Sequence, residues 1–144
     1  MRTLFLIIMF IFSLESWAQS AEEILKLISE KQIEAASLVD QQLEGYNERD
    51  IEKFLAPYSD DVEVYTFPNT LKYKGKDKLR ESYEGSFARL VNRKATITKR
   101  IVYGSNVVDH EEITGLPNNF IAHAVALYVI ENGKIAKVYF LKQM

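Results

Sequence analysis

The stretch NFIAHAVALYVIENGKIAKVYFLK, Asn119 to Lys142, decides the fold class. Two runs of alternating apolar and polar residues flank Asn132-Gly133. Alternation at period two is the pattern of a half-buried strand. Asn-Gly tolerates the left-handed backbone that a two-residue hairpin turn demands. The chain therefore closes on an antiparallel hairpin. Working backwards, NVVDHEEITG (106–115) and KATITKRIVYG (94–104) read as two further strands, with Gly104-Ser105 between them as a second tight turn.

Upstream the period changes. Ile24, Leu27, Ile28, Ala35, Val39, Leu43 and Tyr46 recur at three- and four-residue spacing, which predicts a helix over 21–46 with one apolar stripe. Gly45 weakens its end, and NERD (47–50) makes a polar corner. Asp50 is placed to cap a short second helix through IEKFLAP (51–57), which Pro57 stops. VEVYTF (62–67) alternates as a strand, and LKYKG (71–75) reads as an edge strand whose lysines discourage pairing with another chain. Leu79, Tyr83, Phe87 and Leu90 carry a third helix over 76–91. Helices grouped against a run of antiparallel strands define an α+β domain.

A chain of 144 residues suits one domain. Its formal net charge of −2 offers no basic face for nucleic acid. The absence of cysteine excludes disulfides, a thiol nucleophile and thiolate metal sites. The sequence holds neither a glycine-rich phosphate loop nor a G-x-S-x-G elbow. Its N-terminus differs from the rest. Arg2 precedes an apolar run from Leu4 to Phe12, and Ser16-Trp17-Ala18 sets small residues three and one positions before a cut. This is the layout of a signal peptide over 1–18. The run is shorter than the roughly 20 residues of a bilayer-spanning helix. A mature domain over 19–144 follows, secreted or periplasmic and off the membrane after cleavage; an uncleaved anchor is the alternative.

Four segments in order resemble the nuclear-transport-factor-2-like superfamily, and within it the SnoaL-like, steroid-isomerase-like branch. YNERDIEKFLAPYSDDVEVYTFP is similar to that branch's helix-corner-helix-strand opening. GKDKLRESY matches its G-[KR]-x-x-[IL]-R-x-x-[YF] helix. RIVYGSNVVDHEEITG and AVALYVIENGKIAKVYFL resemble its terminal hairpins. The resemblance implies a cone: a curved antiparallel sheet wrapped around the N-terminal helices, an apolar pocket inside, and often a homodimer. Steroid isomerases of the branch use an aspartate base on the first strand, a tyrosine on the first helix and a second, protonated aspartate. Those positions fall here on Thr66, near Gln42 and near Val125, none of which does that job. Steroid isomerisation is therefore not expected.

Asp60 and Asp61 precede Val62 and read as a helix stop and strand start rather than as catalytic acids. The constellation of more interest is VVDHEEITG. Alternate strand residues share a face. With a turn at Gly104-Ser105, Arg100 faces Asp109 and Thr98 faces Glu111, an apparent outer surface. The other face carries Ile97, Ile101, Tyr103, Val108, His110 and Glu112, mostly apolar and so expected to line the pocket. The resemblance places His123 and Val125 on the same inner side. His110 and His123, with Glu112 beside them, are thus the candidate acid–base groups. The same pair also fits a structural or interface role. Thr66, Val64, Tyr46, Tyr83, Val125, Val138 and Phe140 are the candidate ligand-binding residues, with Tyr58 and Phe87 as further aromatics.

No cofactor and no metal site is expected. Three functional readings follow. The first is a secreted domain binding a small, largely apolar molecule. The second is a lyase, isomerase or cyclase using a pocket histidine. The third is a homodimeric interaction module.

Overall fold

The computed structural model describes residues 2–141, with side chains for Trp17 and from Gln19 onward. The side chains of the signal-peptide run, Leu4 to Phe12, lie outside the described residues. Helix α1 (Arg2–Glu48) is followed by α2 (Ile51–Leu55), β1 (Tyr58–Thr66), β2 (Thr70–Lys74) and α3 (Lys76–Arg89). The strands β3 (Lys94–Tyr103), β4 (Asn106–Thr114), β5 (Ala122–Glu131) and β6 (Lys134–Leu141) close the chain. A single 3-10 turn, Pro117–Asn119, joins β4 to β5.

The six strands form one curved, unclosed sheet in the order β2-β1-β6-β5-β4-β3. This is the α+β architecture expected from the sequence, with one difference. β1 runs parallel to β6, with Val64 opposite Val138 and Thr66 opposite Phe140, so the sheet is mixed rather than wholly antiparallel. Both predicted two-residue turns form. Asn132 and Gly133 take φ of 52° and 68°, and Tyr103 pairs directly with Asn106 across Gly104-Ser105. Register shifts interrupt four of the five strand pairings, β1–β2, β1–β6, β3–β4 and β5–β6. Such irregularities bend strands and help a sheet to curve.

The core lies between this sheet and the helices. Ala35 and Val39 of α1, Phe54 and Leu55 of α2, and Leu79 and Phe87 of α3 bury against Val62, Val64, Val107, Ala126, Tyr128, Ile135 and Val138. The apolar stripe of α1 works only from Ala35 onward. Ile24, Leu27 and Ile28, expected to continue it, are exposed, because the helix overshoots the sheet. Among the described residues, Gln32 is the outermost of α1 with a hydrogen bond to the sheet, from its amide Nε2 to the Val102 carbonyl at 3.5 Å. Among the described residues, no helix is long and apolar enough to cross a membrane.

Two local devices fix the helix corner. Asp50 caps α2 by accepting from the Lys53 amide at 3.0 Å, as its position predicts. Gly45 does more than weaken a helix end: a Cβ there would lie 2.3 Å from the Phe54 backbone nitrogen, so only glycine lets α1 and α2 cross this closely. Asn47 ties α1 to the edge strand β3. Its Nδ2 donates to the Ala95 carbonyl at 2.9 Å, and its Oδ1 accepts from the Ala95 amide at 2.8 Å.

Candidate functional site

β4 places its side chains opposite to the sequence expectation. Val107, Asp109 and Glu111 point toward the helices and are buried, while Val108, His110 and Glu112 lie on the outer face. On β5 the inner residues are Ala122, Ala124, Ala126 and Tyr128, paired with Ile113, Glu111, Asp109 and Val107. His123 and Val125 are outside.

Two physical reasons reverse the expected faces. The Arg100–Asp109 pair forms as predicted, but beneath α1. Arg100 Nε and Nη2 hold the two carboxylate oxygens at 2.6 and 2.7 Å, and Nη1 reaches Asp40 of the helix at 2.6 Å. A fully hydrogen-bonded bidentate pair tolerates burial that a lone charge does not. The bulge between Ile97 and Lys99 then sets Ile97, not Thr98, beside Glu111.

A cavity of about 170 Å³ lies between sheet and helices. Helix α1 contributes Gln42, Leu43 and Tyr46; Tyr58 and Tyr83 come from β1 and α3. Arg93 enters from the loop before β3. The sheet adds Ala95, Glu111, Ile113, Ala124, Tyr128 and Phe140. Alanines on both neighbouring strands, Ala95 and Ala124, leave the space in front of Glu111. Tyr46 and Tyr83 on the wall are backed by the core rings Phe54 and Phe87, and the four pack with ring centroids 4.6–6.3 Å apart.

One polar relay runs along this space. The Tyr58 hydroxyl donates to Gln42 Oε1 at 3.2 Å, and Gln42 Nε2 donates to the Tyr128 oxygen at 3.3 Å. The Tyr128 hydroxyl in turn donates to Glu111 Oε1 at 3.0 Å. Burial pushes the Glu111 carboxyl up to about 7. The Tyr128 hydrogen bond and Arg100 pull it down, and the Asp109 charge adds to the rise. Burial also holds the Tyr58, Tyr83 and Tyr128 phenols above their ordinary range, so all three stay protonated donors at neutral pH. Glu111 is thus a carboxyl poised to gain or lose a proton near neutrality inside a small aromatic chamber.

Arg93 closes one side. Its guanidinium carbon stands 4.7 Å from the centre of the Tyr46 ring and 5.8 Å from that of Phe87. Its Nη2 is buried and finds no hydrogen-bond partner among the described residues.

Of the residues singled out in the sequence, Tyr46, Tyr83 and Phe140 line the cavity, as does Tyr58. Val64 and Val138 are buried in the core beside it. Thr66 is half-buried opposite Phe140, next to the cavity but not on its wall. Gln42, near the position that the resemblance assigns to an isomerase tyrosine, does reach the cavity. His110, Glu112, His123 and Val125 come together on the outer face. Glu112 pairs with His123 and His110 with Val125 across β4–β5, and the two imidazole rings stand 5.7 Å apart. His110 Nδ1 lies 2.9 Å from Thr98 Oγ1, and that hydroxyl also bonds the His110 carbonyl. Asp60 and Asp61 are exposed within β1 rather than stopping a helix, and Asp60 pairs with Lys76 at 2.8 Å. Among the described residues, no group of three or more His, Asp or Glu side chains is arranged to hold a metal ion.

Glu111, Arg93 and Tyr128 were not singled out by sequence reasoning. The available signal was AHAVA, residues 122–126: three alanines on one face mark the side a helix approaches, and their β4 partners are the odd-numbered residues.

The SnoaL-like domain family matches residues 39–138. The chain belongs to that family. The match runs from Val39 of α1 to Val138 within β6, and so contains every cavity-lining residue except Phe140. No curated protein matches the sequence. Solved structures share the fold. An uncharacterised cystatin-fold protein from Novosphingobium aromaticivorans is 23% identical, with TM-score 0.68, over 75% of this chain and 97% of that one. A candidate ketosteroid isomerase from Kribbella flavida is 17% identical, with TM-score 0.62, over 77% and 78%. A LEH-like epoxide hydrolase from M. tuberculosis is 14% identical, with TM-score 0.64, over 76% and 82%. The SnoaL-like chain and these neighbours have a common nuclear-transport-factor-2-like architecture, while such identities say nothing of a common reaction.

Proposed function

We propose that this SnoaL-like chain binds a small, largely apolar molecule in the helix-facing cavity and exchanges a proton with it through Glu111. The observation that carries this reading is the buried Glu111 carboxyl, held by Tyr128 in a chamber walled by tyrosines, Phe140 and aliphatic side chains, with Gln42 and Arg93 as the other polar groups. A cavity of about 150 Å³ is known to accept benzene, so about 170 Å³ suits a single six-membered ring with a small substituent. The fold neighbours include an epoxide hydrolase and an isomerase candidate, reactions in which a positioned acid–base group suffices. Secretion behind a 1–18 signal peptide remains part of the reading, because the N-terminal pattern carries it.

A second reading concerns the outer sheet face. Ile101, Tyr103 and Leu141 are exposed there beside half-buried Val108, Val125, Leu127 and Tyr139. An apolar surface of this kind on a β-sheet favours pairing with a second copy. His110, Glu112 and His123 would then sit at a homodimer interface.

Thermal shift with toluene and phenol on the full chain tests the cavity reading. Ligand at a hundredfold excess over Kd stabilises by about 2.7 kcal/mol, a rise on the order of 5–10 °C. The expected result is such a rise in wild type and in His110→Ala and His123→Ala, and its loss when Ala124→Leu fills the cavity. No shift with any single-ring probe, or a shift abolished by the histidine variants alone, contradicts it.

A further inference from the structure

Arg93 is the one charged group on the cavity wall besides Glu111, and it is also shared with an open cleft between α1 and the loop before β3. That cleft has acids on its helix side: Asp40, Glu44 and Glu48. Each is already engaged, Asp40 with Arg100 at 2.6 Å and Glu44 and Glu48 with Lys53 at 3.0 and 2.9 Å. The facing cations, Arg49, Arg93 and Lys94, have no ion pair among the described residues. The cleft therefore holds cations that are not committed to its acids, and Arg93 stands where the cleft meets the cavity.

The orphan nitrogen makes this specific. Arginine carries five N–H donors, and a buried one without an acceptor is costly unless something else satisfies it. Nη2 of Arg93 is such a donor, held in place by stacking over Tyr46 and Phe87. Arginine's planar fork matches a carboxylate. Resting on the reading of the cavity as a small-molecule site, we propose that its ligand is a ring-sized organic anion. The carboxylate, or an oxyanion of like geometry, bonds Arg93 Nη2 at the cavity mouth, and the ring lies inward among Tyr46, Tyr83 and Phe140. The inner end of the ligand then meets Glu111, with its carboxylate end and its proton-exchanging end held apart by the ring.

The test uses benzoate and its neutral isostere benzamide, titrated calorimetrically into the full-length chain, with Arg93→Met and Arg93→Lys beside wild type. Wild type is expected to bind benzoate at least tenfold more tightly than benzamide, with the preference shrinking as salt rises. Arg93→Met keeps the stem over Tyr46 and is expected to abolish the preference, lowering benzoate affinity more than benzamide affinity. Arg93→Lys, which keeps the charge but not the fork, is expected to retain part of it. Equal affinity for the two probes in wild type overturns the anion proposal and leaves the cavity reading standing. Tighter benzoate binding that survives Arg93→Met also overturns it. Absence of binding by both probes overturns the proposal together with the cavity reading. Thermal melts of the unliganded variants separate misfolding from lost binding, and Arg93→Lys decides the case if Arg93→Met does not fold.

Discussion

Glu111 holds its proton to about pH 7 in the folded chain, against an ordinary value of 4.5. The folded state therefore binds more protons than the unfolded state between these values, and stability falls as pH rises through that window. Below pH 4.5 both states are protonated and nothing is lost; above 7 the whole penalty is present. Glu111→Gln removes the ionisation and keeps the shape. It is expected to flatten the decline and to gain up to about 3 kcal/mol at pH 8, with little change at pH 4.5. Urea denaturation at several pH values measures this, and an unchanged slope would refute the buried, neutral carboxyl. The sequence shows Glu111 plainly but not its direction. Strand alternation groups Glu111 with Asp109 and His110 with Glu112, and only the covering helix decides which group is inside.

At the scale of elements, strands, turns and helices were legible, because Asn132-Gly133, Gly104-Ser105 and the Asp50 cap act locally. The face of the β3–β4 hairpin was not, because the buried ion pair mimics a solvated surface and the exposed Ile101 and Tyr103 mimic a core. The difference is testable. Arg100→Met strands the buried Asp109 carboxylate and is expected to cost about 3–5 kcal/mol. Adding Asp109→Asn removes the stranded charge and is expected to restore a large part of it, a coupling that a double-mutant cycle reads directly. Near-additive effects within 0.5 kcal/mol would place the pair in solvent, as the sequence suggested. The parallel β1–β6 pairing was also hidden, since it joins strands about 70 residues apart through no local signal.

For the molecule as a whole, the two faces of the SnoaL-like sheet differ in character. The helix side encloses the Glu111 cavity, and the outer side presents an apolar sheet with its histidines. If that sheet joins two copies, sedimentation equilibrium should give a dimer for wild type. Leu127→Lys should then give a monomer that still binds single-ring probes. A wild-type monomer at micromolar concentration contradicts the interface, without touching the cavity. The central claim is that the functional site lies on the Glu111 side. Methyl NMR of the alanines, with histidine ring signals recorded alongside, tests it in one titration. On adding toluene or benzoate, the account predicts shifts at Ala95 and Ala124, which line the cavity, and none at His110 or His123. Shifts confined to the two histidines, or no shift at either alanine, would contradict it.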